Sequence, residues 1–132
     1  MMLPLGALVA VVDGEKLSLF RNSGVHAPEL TALPSPSIPD KASGSAGHRS
    51  SSANPDNDTQ AEDGFAAGVA DVLNQKALSG NLEHLVVIAA PRALGELRKH
   101  WHKALEGKLV GEIAKDLTHQ SPDEIAAVIA KA

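Results

Sequence analysis

The sequence predicts an α/β fold with a mixed five-stranded sheet, in which an antiparallel meander precedes parallel βαβα units. The length of 132 residues suits one domain over residues 1–132, and a hydrophobic content of 43% is enough for a core. Residues 1–33 have the short runs and turns of hairpins, whereas residues 59–132 alternate helical periodicity with short apolar runs. The chain has no cysteine, which excludes disulfides and thiolate chemistry.

Three strands are predicted before residue 34. Residues 5–12 are apolar and predict a buried first strand. Asp13-Gly14 predicts a tight hairpin turn with positive φ angles. Residues 16–20 alternate polar and apolar side chains, as in a half-buried second strand, and a weaker third strand is predicted near residues 29–33.

A change in composition separates these strands from the first helix. Residues 34–58 are rich in serine, proline and glycine and almost lack large apolar side chains, which predicts a flexible low-complexity loop. Thr59 and Glu62 then match a capping box, in which a hydroxyl and a carboxylate three residues later cap a helix. Ser79-Gly80 is a typical helix end.

The remaining chain alternates strands and helices. Residues 85–90 are wholly apolar and predict a central strand covered on both faces. A helix is predicted over residues 91–105 because proline is tolerated in the first turn and leucines recur at helical spacing. Residues 109–114 predict a more exposed, edge-like fifth strand. Ser121 and Glu124 frame the start of a short last helix.

The order of these elements predicts the topology of the sheet. Hairpin connections place the first strands antiparallel, and each later strand–helix–strand unit favours a parallel pair joined by a right-handed crossover. This element order resembles that of the ribonuclease H-like fold. The resemblance is one of topology, and a fold does not determine a function.

Charge and aromatic content narrow the possible functions. The net charge is −4, so a basic nucleic-acid binder is not indicated overall, although a local basic face is compatible. Aromatic residues make up only 2%, which argues against sugar-binding or base-stacking platforms. The apolar start lacks the positive segment of a signal peptide and is shorter than the ~20 residues of a membrane span. We therefore expect a cytoplasmic protein without a membrane span.

The densest polar cluster lies on the predicted helix 91–105. Arg98 and His102 are four residues apart, and so are Lys99 and Lys103, so each pair would share a helix face. Such a basic ridge could contact nucleic-acid phosphates or a protein partner. The alternative is an ordinary solvated helix face with glutamates nearby. The candidate nucleic-acid or partner-binding residues are Arg92, Arg98, Lys99, His102 and Lys103.

Acidic residues raise the alternative of a degenerate two-metal nuclease. Nucleases of this kind hold two cations ~4 Å apart with clustered carboxylates. The chain has acids after the first strand and at the starts of the first and last helices, but the fourth strand ends in Ala89-Ala90-Pro91. A turn and favourable helix dipoles explain the same acids without catalysis. These acids are Asp13, Glu62, Asp63, Asp123 and Glu124.

No motif predicts a metal, a cofactor or a catalytic residue. The six histidines lack the spacing of a zinc site. The sequence contains no phosphate loop, no dinucleotide-binding fingerprint and no Gly-x-Ser-x-Gly nucleophile elbow. We also find no DNA-specific motif. The expected protein is therefore a binder and not an enzyme.

Four segments carry a family resemblance: residues 12–22, 65–73, 85–98 and 112–118. The third is the most specific, with a hydrophobic strand, a proline turn and a Leu-Gly-x-Leu-Arg helix. On these segments the chain resembles the bacterial host attachment proteins, described as required for attachment to host cells. It is also distantly similar to bacterial relatives of the archaeo-eukaryotic release factors. Ala90 stands where the host-attachment pattern has the first of two prolines.

The resemblance implies a non-catalytic binding module. Because no export signal is evident, its role in host attachment would be indirect. The likeness to release-factor relatives implies instead an RNA-binding protein associated with the ribosome or tRNA. The release factors' catalytic Gly-Gly-Gln tripeptide is absent, so hydrolysis of peptidyl-tRNA is not expected. The partner is thus either an unknown protein or the ribosome and its RNA.

Overall fold

The computed structural model describes residues 2–38 and 57–132, with only the backbone for residues 57–62. Strands and helices follow the predicted order, with one additional short helix after α2. The elements are β1 (Leu8–Val12), β2 (Leu17–Asn22), β3 (Leu30–Leu33), α1 (Asn57–Leu78), β4 (Leu85–Ala89), α2 (Pro91–Arg98), α3 (Lys103–Glu106), β5 (Leu109–Ala114) and α4 (Pro122–Lys131).

The five strands form one mixed sheet with the order β3-β2-β1-β4-β5. β2 is antiparallel to both β1 and β3, whereas β4 is parallel to both β1 and β5. The predicted α/β class, with a meander followed by parallel units, is confirmed. The observed order fits the ribonuclease H-like arrangement that the element order predicted.

The side chains of β1 alternate between two hydrophobic cores, as the strand period of two requires. Leu8, Ala10 and Val12 face the core that is covered by α1, α2 and α3. Val9 and Val11 face the opposite core, which is covered by α4. Because both faces of β1 and β4 are covered, all their residues are buried, which explains their continuous apolar sequences.

The hairpin between β1 and β2 is closed by a side chain, and the predicted positive φ angles at Asp13-Gly14 are wrong. Within the described ranges, only Gly6 and Gly80 have positive φ. The connection holds four residues, from Asp13 to Lys16, and Asp13 Oδ1 accepts the backbone N–H groups of Glu15 and Lys16, both at 2.6 Å. An aspartate can close a turn in this way without left-handed backbone.

Asn22 is the buried polar residue that ties the N-terminal segment to the β2–β3 connection. Asn22 is only 1% exposed. Nδ2 donates to the carbonyl oxygens of Leu3 and Pro4, each at 3.0 Å. Oδ1 accepts the backbone N–H groups of Gly24 and Glu29, each also at 3.0 Å. The amide therefore uses both donors and both acceptor positions.

The starts of β1 and α1 differ from the predictions. β1 begins at Leu8 and not at residue 5, because the chain turns at Gly6, where φ is +83°. α1 begins at Asn57, so the predicted cap Thr59 lies inside the helix and the loop predicted over residues 34–58 ends before residue 57. Residues 39–56 of that predicted loop lie outside the described residues.

Several predictions from the second half of the chain are confirmed. β5 is an edge strand with mostly half-buried residues. α1 ends at Leu78, followed by Gly80 with φ of +81°. Ser121 caps α4, and its Oγ accepts the Glu124 backbone N–H at 3.2 Å.

Over the described ranges, no helix has the length and apolar character needed to cross a membrane.

We expect the substitution Asn22→Asp to lower the free energy of unfolding by about 2–4 kcal/mol. The carboxylate lacks the two donors that satisfy the Leu3 and Pro4 carbonyls, and it places a charge in a buried site. Urea unfolding at neutral pH measures the change. Asn81→Asp, at an exposed residue, is the matched control and should change stability little. Equal stability of the two variants would contradict the role assigned to Asn22.

The cap of α4 gives a second stability prediction. Ser121→Ala removes the side-chain acceptor for the Glu124 N–H and should cost about 1 kcal/mol in thermal or urea unfolding. Ser121→Asp keeps an acceptor at the cap and should retain most of the stability. If the alanine and aspartate variants unfolded alike, the hydrogen bond would not be what the position contributes.

Candidate functional site

The helix predicted over residues 91–105 is interrupted, so the prediction of one continuous basic helix is wrong. α2 ends at Arg98, and the backbone N–H groups of Lys99 and His100 bond to carbonyls three residues back. The next helix, α3, begins only at Lys103. We call residues 99–102 the inter-helix turn. Because this turn intervenes, the pairs predicted at four-residue spacing do not share a helix face.

A single amide from α1 explains why the helix breaks here. Asn74 Nδ2 donates to the carbonyl oxygen of His100 at 2.8 Å. The backbone N–H of His102 donates to Asn74 Oδ1 at 2.9 Å. Backbone groups that leave a helix need other partners, and Asn74 supplies a donor and an acceptor to the inter-helix turn. The turn is therefore fixed to α1.

His102 caps α3 through its imidazole ring. The backbone N–H of Ala104 donates to His102 Nδ1 at 3.0 Å. Only an unprotonated Nδ1 can accept this bond. Nδ1 performs the role that a serine or aspartate side chain performs at other helix starts, so His102 has a structural role.

Arg98 is held by the edge strand β5. Its Nε donates to Glu112 Oε1 at 3.1 Å, and its Nη2 lies 3.0 Å from the same oxygen. Trp101 Nε1 approaches the other oxygen, Oε2, at 3.3 Å. The Glu112 side chain is only 22% exposed, and it accepts from both residues at once. This arrangement joins the end of α2 and the inter-helix turn to the sheet.

Lys99 forms a local ion pair on α2. Its Nζ lies 2.8 Å from Glu96 Oε2. The hydrogen bond from Lys99 lowers the pKa of Glu96, and the same bond raises the pKa of Lys99. The Lys99 side chain is 68% exposed, whereas that of Glu96 is only 17% exposed. Lys99 therefore remains accessible to an incoming anion although it is paired with Glu96.

Arg92 lies on the cleft side of α2, close enough to Glu96 and Lys99 for its charge to act on both. It is six positions before Arg98 on α2, which corresponds to ~9 Å of helix rise. Its Nη2 lies 3.2 Å from Asp63 Oδ1 on α1. It also lines a cleft with a volume of about 210 Å³ that contains several carboxylates. Arg92 is thus surrounded mainly by acids.

The cleft lies outside the carboxyl ends of β1, β4 and β5. The chain leaves β1 toward β2 on one side and leaves β4 toward β5 on the other, which opens a crevice between the two strand ends. The charged residues that line the cleft are Asp13, Asp63, Arg92, Glu96 and Asp116. Four of the five are acidic, so the cleft does not favour phosphate.

Each of these four carboxylates already has a partner. Asp13 closes the β1–β2 turn, and Asp63 and Glu96 pair with the two cations described above. Asp116 Oδ1 accepts from the Thr118 hydroxyl at 2.7 Å and from its backbone N–H at 3.2 Å, and the hydroxyl bond is the main cause that lowers the pKa of Asp116.

The acids proposed for a nuclease do not meet at one place. Asp13 and Asp63 line the cleft, whereas Asp123 and Glu124 begin α4, which covers the opposite face of the sheet. The side chain of Glu62 lies outside the described residues. Among the residues that the structure describes, no group of three or more His, Cys, Asp or Glu is placed to hold a metal ion.

Lys103 is a cation of the cluster for which the described part of the chain shows no charged partner. Lys103 and His100 are both exposed. Lys103 is the first residue of α3, and His100 lies in the inter-helix turn. Of the predicted ridge, Lys99, His102 and Lys103 therefore lie close together along the chain. Arg98 instead pairs with Glu112, and Arg92 lies in the acidic cleft.

Asn74 and Glu112 were missed by sequence reasoning. Asn74 follows Leu73 of the buried α1 stripe, and Glu112 lies on an edge strand, where polar residues are ordinary. The only indication in the sequence was an amide next to the buried helix face. Their roles follow from the packing of α1 and β5 around the inter-helix turn, which spacing alone does not give.

Comparison with known proteins identifies the family. The model of the bacterial archaeo-eukaryotic release factor family 12 matches residues 6–129. The comparison with curated proteins gives no match. The family match extends from the turn before β1 into the last turns of α4, so it includes the whole sheet and every element around the cleft and the inter-helix turn. The predicted similarity to release-factor relatives is thereby confirmed, and the chain belongs to the bacterial archaeo-eukaryotic release factor family 12.

Proposed function

We propose that this chain is a non-catalytic binding module that associates with the ribosome or tRNA. The observation that carries the proposal is the family match over residues 6–129. Release factors act on the ribosome, and membership of a family of their relatives supports a contact with ribosomal or transfer RNA. The binding surface in this proposal consists of Lys99, His100, His102 and Lys103.

The absence of the catalytic tripeptide supports the non-catalytic part of the proposal. The sequence contains no Gly-Gly-Gln, so no residue set matches the one that hydrolyses peptidyl-tRNA in release factors. The cleft supplies no alternative that we can assign, because its carboxylates are engaged in a turn, in ion pairs or with Thr118. A contact with RNA would therefore serve binding and not chemistry.

The charge of the chain determines what kind of RNA binding to expect. A net charge of −4 opposes approach to RNA, so affinity must come from a local cationic surface. Each lysine–phosphate contact releases counterions and makes binding weaker as salt increases. A surface whose positive charge comes from two lysines would give moderate, salt-sensitive association. Sequence-specific readout is not expected from it.

An effect on the attachment of bacteria to host cells would be indirect in this proposal. The resemblance to host attachment proteins implies such an effect, whereas the family match concerns release-factor relatives. A module that acts on translation in the cytoplasm would change attachment through the proteins that the cell makes. Native protein detected on the outer cell surface would contradict this view.

Co-sedimentation with ribosomes from the native cells tests the proposal. We expect the protein to travel with ribosomes at low salt and to be partly released at moderate salt. The double variant Lys99→Ala/Lys103→Ala should bind more weakly, and its log–log salt slope should be smaller by about 2. Circular dichroism would verify that the variant is folded.

A charge-matched control separates a local surface from net charge. Lys16→Ala/Lys131→Ala removes two exposed lysines from the β1–β2 connection and the end of α4. This control should sediment like the wild-type protein. Wild-type protein that stays in the soluble fractions at both salt concentrations would refute ribosome association, and an equal loss in both double variants would refute the assigned surface.

A further inference from the structure

We propose that the inter-helix turn and the first residue of α3 form a preorganised contact for RNA phosphates, and that Asn74 is its positioning residue. This inference rests on the proposed function and adds to it a residue outside the cationic surface. Asn74 would touch no RNA. It would act by holding the backbone from His100 to His102 in the shape that presents Lys103.

Three elements of the fold fix the turn from different directions. α1 holds it through the two hydrogen bonds of Asn74. β5 holds it through the contact of Trp101 with Glu112. α3 holds it through the cap at His102 Nδ1. Connections between helices are usually mobile, so this number of side-chain restraints on four residues indicates that the shape of the turn matters.

The ion pairs decide which cations face an incoming phosphate. Lys103 has no charged partner among the described residues, so it can bind an anion without breaking a bond. The Lys99 side chain is 68% exposed and is joined to Glu96 by a single ion pair. Arg98 contacts Glu112 through both Nε and Nη2, and Glu112 also accepts from Trp101, so release of Arg98 would loosen the inter-helix turn. Arg98 therefore contributes to the shape of the site and not to the contact.

Preorganisation explains why a small cationic surface can suffice. Binding loses affinity when it must order flexible side chains or a flexible loop. Asn74 orders the backbone of the turn before RNA binds, so less of the binding free energy of the phosphate contacts is lost to ordering the turn. Loss of Asn74 would leave every cation in place but restore the cost of ordering the turn. This effect differs from the loss of a lysine, which removes a contact.

The experiment measures binding of a fluorescein-labelled 15-nucleotide single-stranded RNA and of bulk tRNA, by anisotropy over a range of salt concentrations. We expect Asn74→Ala to weaken binding by about three- to tenfold while the salt slope stays as in the wild type. Lys103→Ala should reduce the slope by about 1. Gln75→Ala, at an exposed neighbour on α1, is the matched control and should bind normally.

The single tryptophan reports on the turn directly. Trp101 is the chain's only tryptophan and lies in the inter-helix turn. In Asn74→Ala its fluorescence anisotropy should fall, while the far-ultraviolet circular dichroism stays that of a folded protein. If Asn74→Ala does not fold, Asn74→Gln retains an amide one methylene longer, and it should bind RNA with an affinity between those of wild type and Lys103→Ala.

The outcomes separate this inference from the proposed function. If the protein sediments with ribosomes but Asn74→Ala loosens Trp101 without weakening RNA binding, the positioning role is refuted and the function stands. If the protein binds the oligonucleotide with the expected Asn74 dependence but never sediments with ribosomes, the inference stands and the function is refuted. Wild-type protein that binds neither the oligonucleotide nor tRNA would overturn the inference.

Discussion

The parallel pairing of β1 with β4 is the interaction on which the rest of the structure depends. β1 belongs to the N-terminal meander and β4 to the C-terminal strand–helix units, and their register, from Leu8 with Leu85 to Val12 with Ala89, joins the two halves into one sheet. Both strands are buried on both faces. A shift of one residue would exchange the side chains that face the two cores, so the pairing is strongly specified.

This central pair also determines where polar chemistry can occur. The crevice outside the ends of β1 and β4 collects acids, and the helices beyond β4 carry the cationic surface. The two regions meet on α2, whose first turn holds Arg92 in the cleft and whose last turn holds Arg98 against Glu112. The first turn of α2 thus lies at an acidic cleft, and the cations Arg98 and Lys99 lie at the end of the helix and just after it.

The sequence predicts the sheet well because the burial of each strand follows from its local pattern of apolar and polar residues. Continuous apolar runs identify β1 and β4, alternation identifies β2, and a serine cap identifies α4. The errors occur where a side chain competes with the backbone. Asp13 closes a turn without left-handed residues, and Asn74 takes the backbone groups that would have continued α2 into α3. Both effects depend on the placement of single polar atoms, which periodicity does not show.

The sequence shows which residues of the candidate surface carry positive charge, but not what each of them contacts. Partners distant in sequence decide which of these cations are available: Asp63 pairs with Arg92, and Glu112 pairs with Arg98. Ion pairs between residues far apart in sequence form only when the fold brings them together. The function proposed here therefore rests on the family match and on the few cations that the fold leaves accessible.

The most direct measurement of the central claim is site-specific photo-crosslinking of the protein in its native cells. A photoreactive amino acid at position 103 would report what touches the start of α3, and the same group at position 131 would serve as the reference at the end of α4. The account predicts crosslinks to ribosomal RNA or tRNA from position 103 and few from position 131. Crosslinks from position 103 to proteins alone, with no RNA, would contradict it.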